Sequence, residues 1–379
     1  MIVAGIMSGT SGDGIDVALV RLLGRGLRTR LQLLAHRGCP YPAPVRRAVL
    51  DLMNSRRASV ADLARLNFLL AELYAEAVRG AEKHARVHCQ LAGCHGQTLY
   101  HQDVAAAYIG RKVAATWQTG EGSLLAARLG VPVVSDFRPA DMAAGGTGAP
   151  LVPYLDYLFF RHPRHGRIVQ NIGGIGNLTA IPARARPEDV LAFDTGPGNM
   201  VIDALATELF GKPYDNLGAF AARGKVLEPV LRQLLRAPFF RRTGPRSAGR
   251  EQFGGDFVRQ FMDLCGRASK YDALATATAL TARSIALAVR GLCASQRYRE
   301  FLVSGGGAKN LTLLRMIGGE LEPLGLTVEL TDEYGLPGAA KEAVAFALLA
   351  YQTWHRTPSN LPSATGASRP AILGKISYV

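Results

Sequence analysis

The sequence predicts an α/β protein built from two similar lobes, and three observations carry that expectation. A chain of 379 residues is too long for one ordinary core and comfortable for two domains. Glycine-rich corners, each following an apolar strand-like run, occur at Met7–Gly14, Asn171–Gly176, Asp194–Asn199 and Val303–Ala308. The hairpin plan of residues 1–20, strand then glycine turn then strand, returns at residues 167–181.

Composition narrows the class. With 48% hydrophobic and 20% charged residues the chain reads as globular and soluble. No apolar run approaches the roughly 18 to 20 residues that span a bilayer, and Met1-Ile-Val-Ala-Gly-Ile6 lacks the basic start of a signal peptide. A cytoplasmic protein without a membrane partner is expected. Five cysteines without a C-x-x-C pair suit reduced thiols rather than disulfides or zinc. The net charge of +14 comes from scattered arginines with no nucleic-acid motif, so no nucleic acid is expected as partner. A positive field does favour anionic substrates.

Taken in order, the first hairpin is followed by helical patterns at Pro44–Met53 and Val60–His84. Leu91–Thr98 reads as a strand entering a polar corner. Ala126–Ser135 ends a helix and begins a strand, and Asp136–Pro150 reads as a long loop, a feature that tends to be functional. After the second hairpin come helices near Val226–Leu235 and Leu274–Leu292. A strand at Arg299–Ser304 then runs into Gly305-Gly306-Gly307, followed by helices at Leu311–Leu321 and Gly338–Tyr351. The Pro, Ser and Thr-rich tail 357–371 reads as an ordered cap or a loose strap.

Asp194 is the most informative position. Val190–Phe193 reads as a buried strand, Gly196-Pro197-Gly198 as a turn and Met200–Leu209 as a helix, which puts one carboxylate at the mouth of a glycine corner. Such an aspartate is either a turn cap or a base. The other corners bear on the choice, because phosphates need converging backbone N–H groups and glycine lets the chain turn closely around them. None matches a P-loop or the dinucleotide Gly-x-Gly-x-x-Gly. Together with the internal repeat they specify a split nucleotide site on two lobes.

Met7-Ser-Gly-Thr-Ser-Gly-Asp-Gly-Ile-Asp16, Asn171-Ile-Gly-Gly-Ile-Gly-Asn-Leu-Thr179, Asp194-Thr-Gly-Pro-Gly-Asn199 and Val303-Ser-Gly-Gly-Gly-Ala-Lys-Asn310 resemble the anhydro-N-acetylmuramic acid kinases. His95-Gly-Gln-Thr98, Ser135-Asp-Phe-Arg138, Ala143–Gly146, Gly148–Pro150, Glu342–Ala347 and Ala364–Ala367 extend the match along the chain. The resemblance implies a two-domain actin-like ATPase (ribonuclease H-like) α/β fold with nucleotide and sugar in the interdomain cleft. The first lobe is expected at 1–127 plus 353–379 and the second at 128–352. It also implies ATP and Mg²⁺ as cofactors, an anhydrosugar as substrate, and a homodimer.

Carried over residue by residue, Gly9, Thr10, Ser11, Gly12, Asp13, Gly14, Ile15 and Asp16 form the ATP phosphate loop. Gly173 and Gly174 form the second phosphate hairpin, and Gly305, Gly306, Gly307 and Asn310 approach the adenosine. Asp13 or Asp16 orients Mg²⁺ through water or, alternatively, caps the turn. Asp194 is the catalytic base and Glu342 a second catalytic carboxylate, the alternative for Glu342 being a solvated residue at a helix start. His95, Gln97, Thr98, Glu121, Asp136, Arg138 and Asp141 are candidate sugar contacts or structural residues. Pro245-Arg-Ser-Ala-Gly-Arg-Glu251 resembles the family's Pro-Lys-Ser-Thr-Gly-Arg-Glu, with Arg250 the candidate for the lactyl carboxylate. Gly12, Cys94 and Ala248 depart from the family pattern. A kinase of another anhydrosugar such as levoglucosan, and an actin-like ATPase without a sugar substrate, are the alternatives.

Overall fold

The computed structural model describes residues 1–242 and 246–379, with the side chain of Arg250 outside the description. Its strands are β1 (Ile2–Ser8), β2 (Gly14–Leu23), β3 (Arg30–Pro40), β4 (Leu91–Tyr108), β5 (Arg111–Thr119), β6 (Val133–Ser135), β7 (Gly166–Ile172), β8 (Ile175–Ile181), β9 (Leu191–Pro197), β10 (Tyr298–Ser304), β11 (Thr327–Leu330) and β12 (Lys375–Ser377). The chain divides into two compact units, Met1–Leu158 with Ala340–Val379, and Phe159–Ala339. The expected boundaries at 127/128 and 352/353 thus differ from those of the structure. Pairing of β6 with β4 and β12, and packing of helix Lys341–Trp354 on β1, β2 and β4, keep those stretches in the first unit.

In the first unit the sheet runs β12-β6-β4-β1-β2-β3, with β5 pairing β4. In the second it runs β11-β10-β7-β8-β9. Each contains an antiparallel three-strand meander, β1-β2-β3 or β7-β8-β9. Beside the first strand of each meander lie two parallel strands, β4 and β6 or β10 and β11. One five-strand plan therefore occurs twice, as the repeated hairpin predicts, and it is the plan of the actin-like, ribonuclease H-like fold.

Glycine decides how closely the helix Lys341–Trp354 approaches its sheet. Gly5 and Gly93 are register partners on β1 and β4. A Cβ on Gly5 would lie 1.8 Å from the Ala343 carbonyl oxygen, and one on Gly93 2.3 Å from that of Phe346. Two paired positions without side chains, one on each strand, thus make a trough for the helix, whose first turn carries Glu342. In the second unit, helix Lys270–Cys293 is apolar on nearly all sides because it is shared by two hydrophobic clusters, one around Phe301 and Val303, the other around Phe261 and Leu205. Among the described residues this helix alone is long and apolar enough to cross a membrane by composition, although the sequence reading anticipates no such run; 83% of its most apolar stretch is buried within the protein.

Three local expectations change and one alternative is decided. β4 does not stop at a polar corner but continues to Tyr108, because β5 pairs along it. The supposed loop after Asp136 contains a helix, Phe137–Ala143, anchored by Phe137 against Phe346 at 5.3 Å. Asp194 lies within β9, paired opposite Asn177, rather than at the mouth of the turn, because β8 extends the ladder past it. The tail is an ordered cap: Asn360 and Thr365 donate to Asp141 Oδ1 at 2.6 and 2.7 Å, and the Thr147 amide donates to the Thr365 carbonyl.

Candidate active site

The first unit presents the β1–β2 tip. Gly12 turns with φ +61°, a left-handed conformation suited to glycine, and its amide donates to the Gly9 carbonyl. Thr10, Ser11 and Asp13 are exposed there, and Ser11 Oγ donates to Asp13 Oδ1 at 2.7 Å. Gly14 is required for another reason, since a Cβ would sit 2.4 Å from the Cys39 carbonyl oxygen on β3. Ile15 points into the core and has only its backbone to offer a ligand. Asp16 is partly exposed and bonded to His36 Nε2 at 2.9 Å.

Beside this tip, buried Gln97 donates to the Gly9 carbonyl at 3.0 Å, so β4 holds the start of the loop. His95 is buried and receives Arg138 Nε and Nη2 at 3.2 and 2.9 Å on its Nε2, which leaves its proton on Nδ1, facing the Gly96 carbonyl. Burial, and then the Arg138 charge, push its pKa well below the usual histidine value, so the ring is neutral. Burial likewise lowers Arg138 to about 10, opposed by the negative charge of Glu342. Glu342 is open to solvent, yet the surrounding protein still raises its pKa. Lys341 and Arg138 oppose that rise, Asp16 adds to it, and access to water limits it.

His95, Gln97, Arg138, Asp16 and Glu342 are therefore brought together with the loop. Other candidates are tied elsewhere. Thr98 Oγ1 accepts from Gln118, Glu121 caps helix Gly122–Leu129 while accepting from Asn67, and Asp136 pairs with Lys375. Asp141 is buried and fully used in fastening the tail and the Gly148 amide.

In the second unit the tip is Gly173-Gly174. The Gly173 carbonyl accepts from the Asn199 amide at 2.7 Å, and that of Gly174 from Gly198 and Met200 at 2.9 and 3.1 Å. Asn199 Nδ2 also reaches the Ile172 carbonyl. The Gly305–Gly307 turn packs on the same hairpin, because a Cβ on Gly307 would meet Ile172 Cγ2 at 2.3 Å. Asn310 is buried and its side chain caps helix Leu311–Leu321 through the Leu313 amide.

Asp194 is partly buried, and its Oδ2 accepts from the Ala248 amide at 2.7 Å. Burial raises its pKa to about 6; the Ala248 amide and Arg246 lower it, and Glu251 raises it. Arg246, which donates Nε to the Asp194 carbonyl at 3.0 Å, was not among the sequence candidates, since a contact across 52 residues leaves no local signal. Position Pro245 and the side chain of the candidate Arg250 lie outside the described residues. Ala248 acts through its amide, so replacing a hydroxyl residue there preserves this bond.

The donor set suits magnesium, which favours one or two carboxylates and keeps water: Asp13 is exposed and Asp16 partly so. No cluster of three metal-binding side chains occurs among the described residues.

Comparison with known proteins places these motifs. The chain is 42% identical to an anhydro-N-acetylmuramic acid kinase of Bacillus cereus (strain Q1), over 100% of this chain and 99% of that one. It is 46% identical to one from Salinibacter ruber, over 99% and 96%. Among solved structures, the activator of the 2-hydroxyisocaproyl-CoA dehydratase from Clostridium difficile superposes with a TM-score of 0.45 at 12% identity, covering 94% of this chain and 96% of that one. A ROK family glucokinase from Streptomyces griseus gives 0.39 at 15% identity, covering 93% and 100%. The family model for anhydro-N-acetylmuramic acid kinase matches residues 1–379, and the chain belongs to that family.

Proposed function

We propose that the protein is an ATP-dependent kinase that opens the 1,6-anhydro ring of 1,6-anhydro-N-acetylmuramic acid with water and phosphorylates O6, giving N-acetylmuramic acid 6-phosphate for peptidoglycan recycling. Full-length family membership supports the reaction class. The observation that carries the chemistry is Asp194: a partly buried carboxylate with Oδ2 held by one amide and a pKa of about 6.

The substrate has no free 6-hydroxyl. Water attacks the anomeric carbon and Asp194 takes its proton; the bond from that carbon to the bridging oxygen breaks, and this oxygen forms its bond to the γ-phosphorus as ADP leaves. The β1–β2 tip, Gly173-Gly174 and the Gly305–Gly307 turn serve the nucleotide. His95, Gln97 and Arg138 order the sugar side, and Glu342 is the second carboxylate. Asp13 and Asp16 would hold Mg²⁺, which when bound neutralises charge on the phosphate oxygens. A cytoplasmic homodimer completes the proposal and rests on the family alone.

The test is mass spectrometry of the product formed from Mg-ATP and the anhydrosugar in ¹⁸O-labelled water. One ¹⁸O at the anomeric position of a muramic acid phosphate is expected; ADP without a labelled sugar phosphate would reject the substrate. Asp194→Asn should lose roughly 10²- to 10⁴-fold in turnover while still binding ATP. Because the base acts ionised and its pKa is raised, kcat/KM should climb with pH through about 6 and plateau above it. Asp203, also raised to about 6 by burial, is the control: Asp203→Asn should leave that acid limb in place.

A further inference from the structure

Asp194 is gripped at three points by one short segment. Its amide donates to the Arg246 carbonyl at 2.9 Å, its carbonyl accepts Arg246 Nε at 3.0 Å, and its Oδ2 accepts the Ala248 amide at 2.7 Å. Arg246 thus brackets the Asp194 residue with both its main chain and its side chain. Among the described residues no hydrogen bond to Asp194 Oδ1 is present.

The guanidinium is an unusual group to spend on this. Arg246 is only 9% exposed, lying over the rings of Phe239 and Phe193 at 4.9 and 5.6 Å. Nη1 donates to the Phe239 and Arg242 carbonyls, while buried Nη2 has no hydrogen-bond partner among the described residues. Burying an arginine without a carboxylate in hydrogen-bond contact is costly, so packing alone does not account for it. A methionine or leucine would fill the aromatic slot without that cost. What an apolar residue could not do is hold the Asp194 carbonyl and so set the register of residues 246–248 on β9.

We propose that Arg246 is a positioning residue for the reaction: its guanidinium fixes the 246–248 segment along β9, so that the Ala248 amide holds Asp194 Oδ2 and Oδ1 is left to receive the proton of the attacking water. The inference rests on Asp194 being the base. The charged groups that bear on Asp194 among the described residues are Arg246 and Glu251, of opposite effect. Loss of the Arg246 charge therefore leaves burial and Glu251 to act unopposed by it, and the carboxyl protonates at higher pH.

The experiment compares the full-length parent, Arg246→Lys, Arg246→Gln and Asp194→Asn, each checked for folding by circular dichroism. Turnover of the anhydrosugar with Mg-ATP is followed from pH 5 to 9 on the scale where these groups titrate, and ATP affinity is measured by calorimetry. Arg246→Gln should move the acid limb up by about one pH unit. Arg246→Lys, which keeps the charge and is the residue of the family segment at this position, should hold the limb in place with kcat within about twofold of the parent and ATP affinity unchanged. A limb unmoved in folded Arg246→Gln, or a limb moved up in Arg246→Lys, overturns the proposal. If Arg246→Gln does not fold, Arg246→Met, which fills the aromatic slot without the charge, takes its place and should move the limb up likewise. Parental turnover by Asp194→Asn would instead remove the base assignment on which the inference stands.

Discussion

The two glycine hairpins share a place in their sheets but not a way of being held. The tip after β1 spans Gly9 to Asp13; its polar side chains face solvent, and Gln97 secures its first carbonyl from the neighbouring strand. The tip after β7 is only Gly173 and Gly174, and both carbonyls are taken by the amides of residues 198–200. One tip is a loop with room beside Gly9, where a Cβ would meet nothing closer than Ser11 Oγ at 3.6 Å. The other is a tight frame built on β9, the strand that carries Asp194. The difference teaches that a glycine motif can serve adaptability or rigidity, and that neighbouring hydrogen bonds decide which.

The strongest test breaks the rigid tip. A Cβ on Gly198 would lie 2.3 Å from the Gly173 carbonyl oxygen, backbone against backbone. Gly198→Ala should therefore cost roughly 3 kcal/mol of stability in a urea titration. Gly9→Ala, with open space around it, should stay within about 1 kcal/mol of the parent and show its effect in KM for ATP. Equal destabilisation by the two would erase the contrast.

A smaller effect comes from the strand that holds the first loop. Gln97→Ala removes one of the two donors to the partly buried Gly9 carbonyl, which keeps the Gly12 amide, a loss of about 1.5 kcal/mol by the same titration. If loop placement matters to ATP, KM should rise several-fold as well, and an unchanged KM would mean the loop holds its shape alone. The smallest change is Gly12→Ala. Its positive φ costs about 1 kcal/mol for a residue with a Cβ, and Leu50 stands 3.1 Å from the new atom. A larger loss would show that this tip is as constrained as its counterpart.

The hairpins, the helix Leu311–Leu321 and the strand leading to Asp194 were legible because glycine turns and apolar periodicity are local signals. The helix Phe137–Ala143 was not: it is only seven residues long and runs into the glycine-rich stretch 145–148, and it is held by Phe346 and by the returning tail. Asp141 illustrates the same limit. An acid beside a glycine loop resembles a ligand contact, but Asn360 and Thr365 take its Oδ1 and the Gly148 amide its Oδ2.

Sequence alone determined the class of the protein, its duplicated plan, its family motifs and the carboxylate at position 194, since each is written within a few consecutive residues. Tertiary structure alone decided which motif residues are free to act. It tied Glu121 to Asn67 and Asp136 to Lys375, put His95 against Arg138, and selected Arg246 to bracket Asp194. The physical reason is that a side chain's role depends on the partners its donors and acceptors find, and those partners lie tens of residues away along the chain.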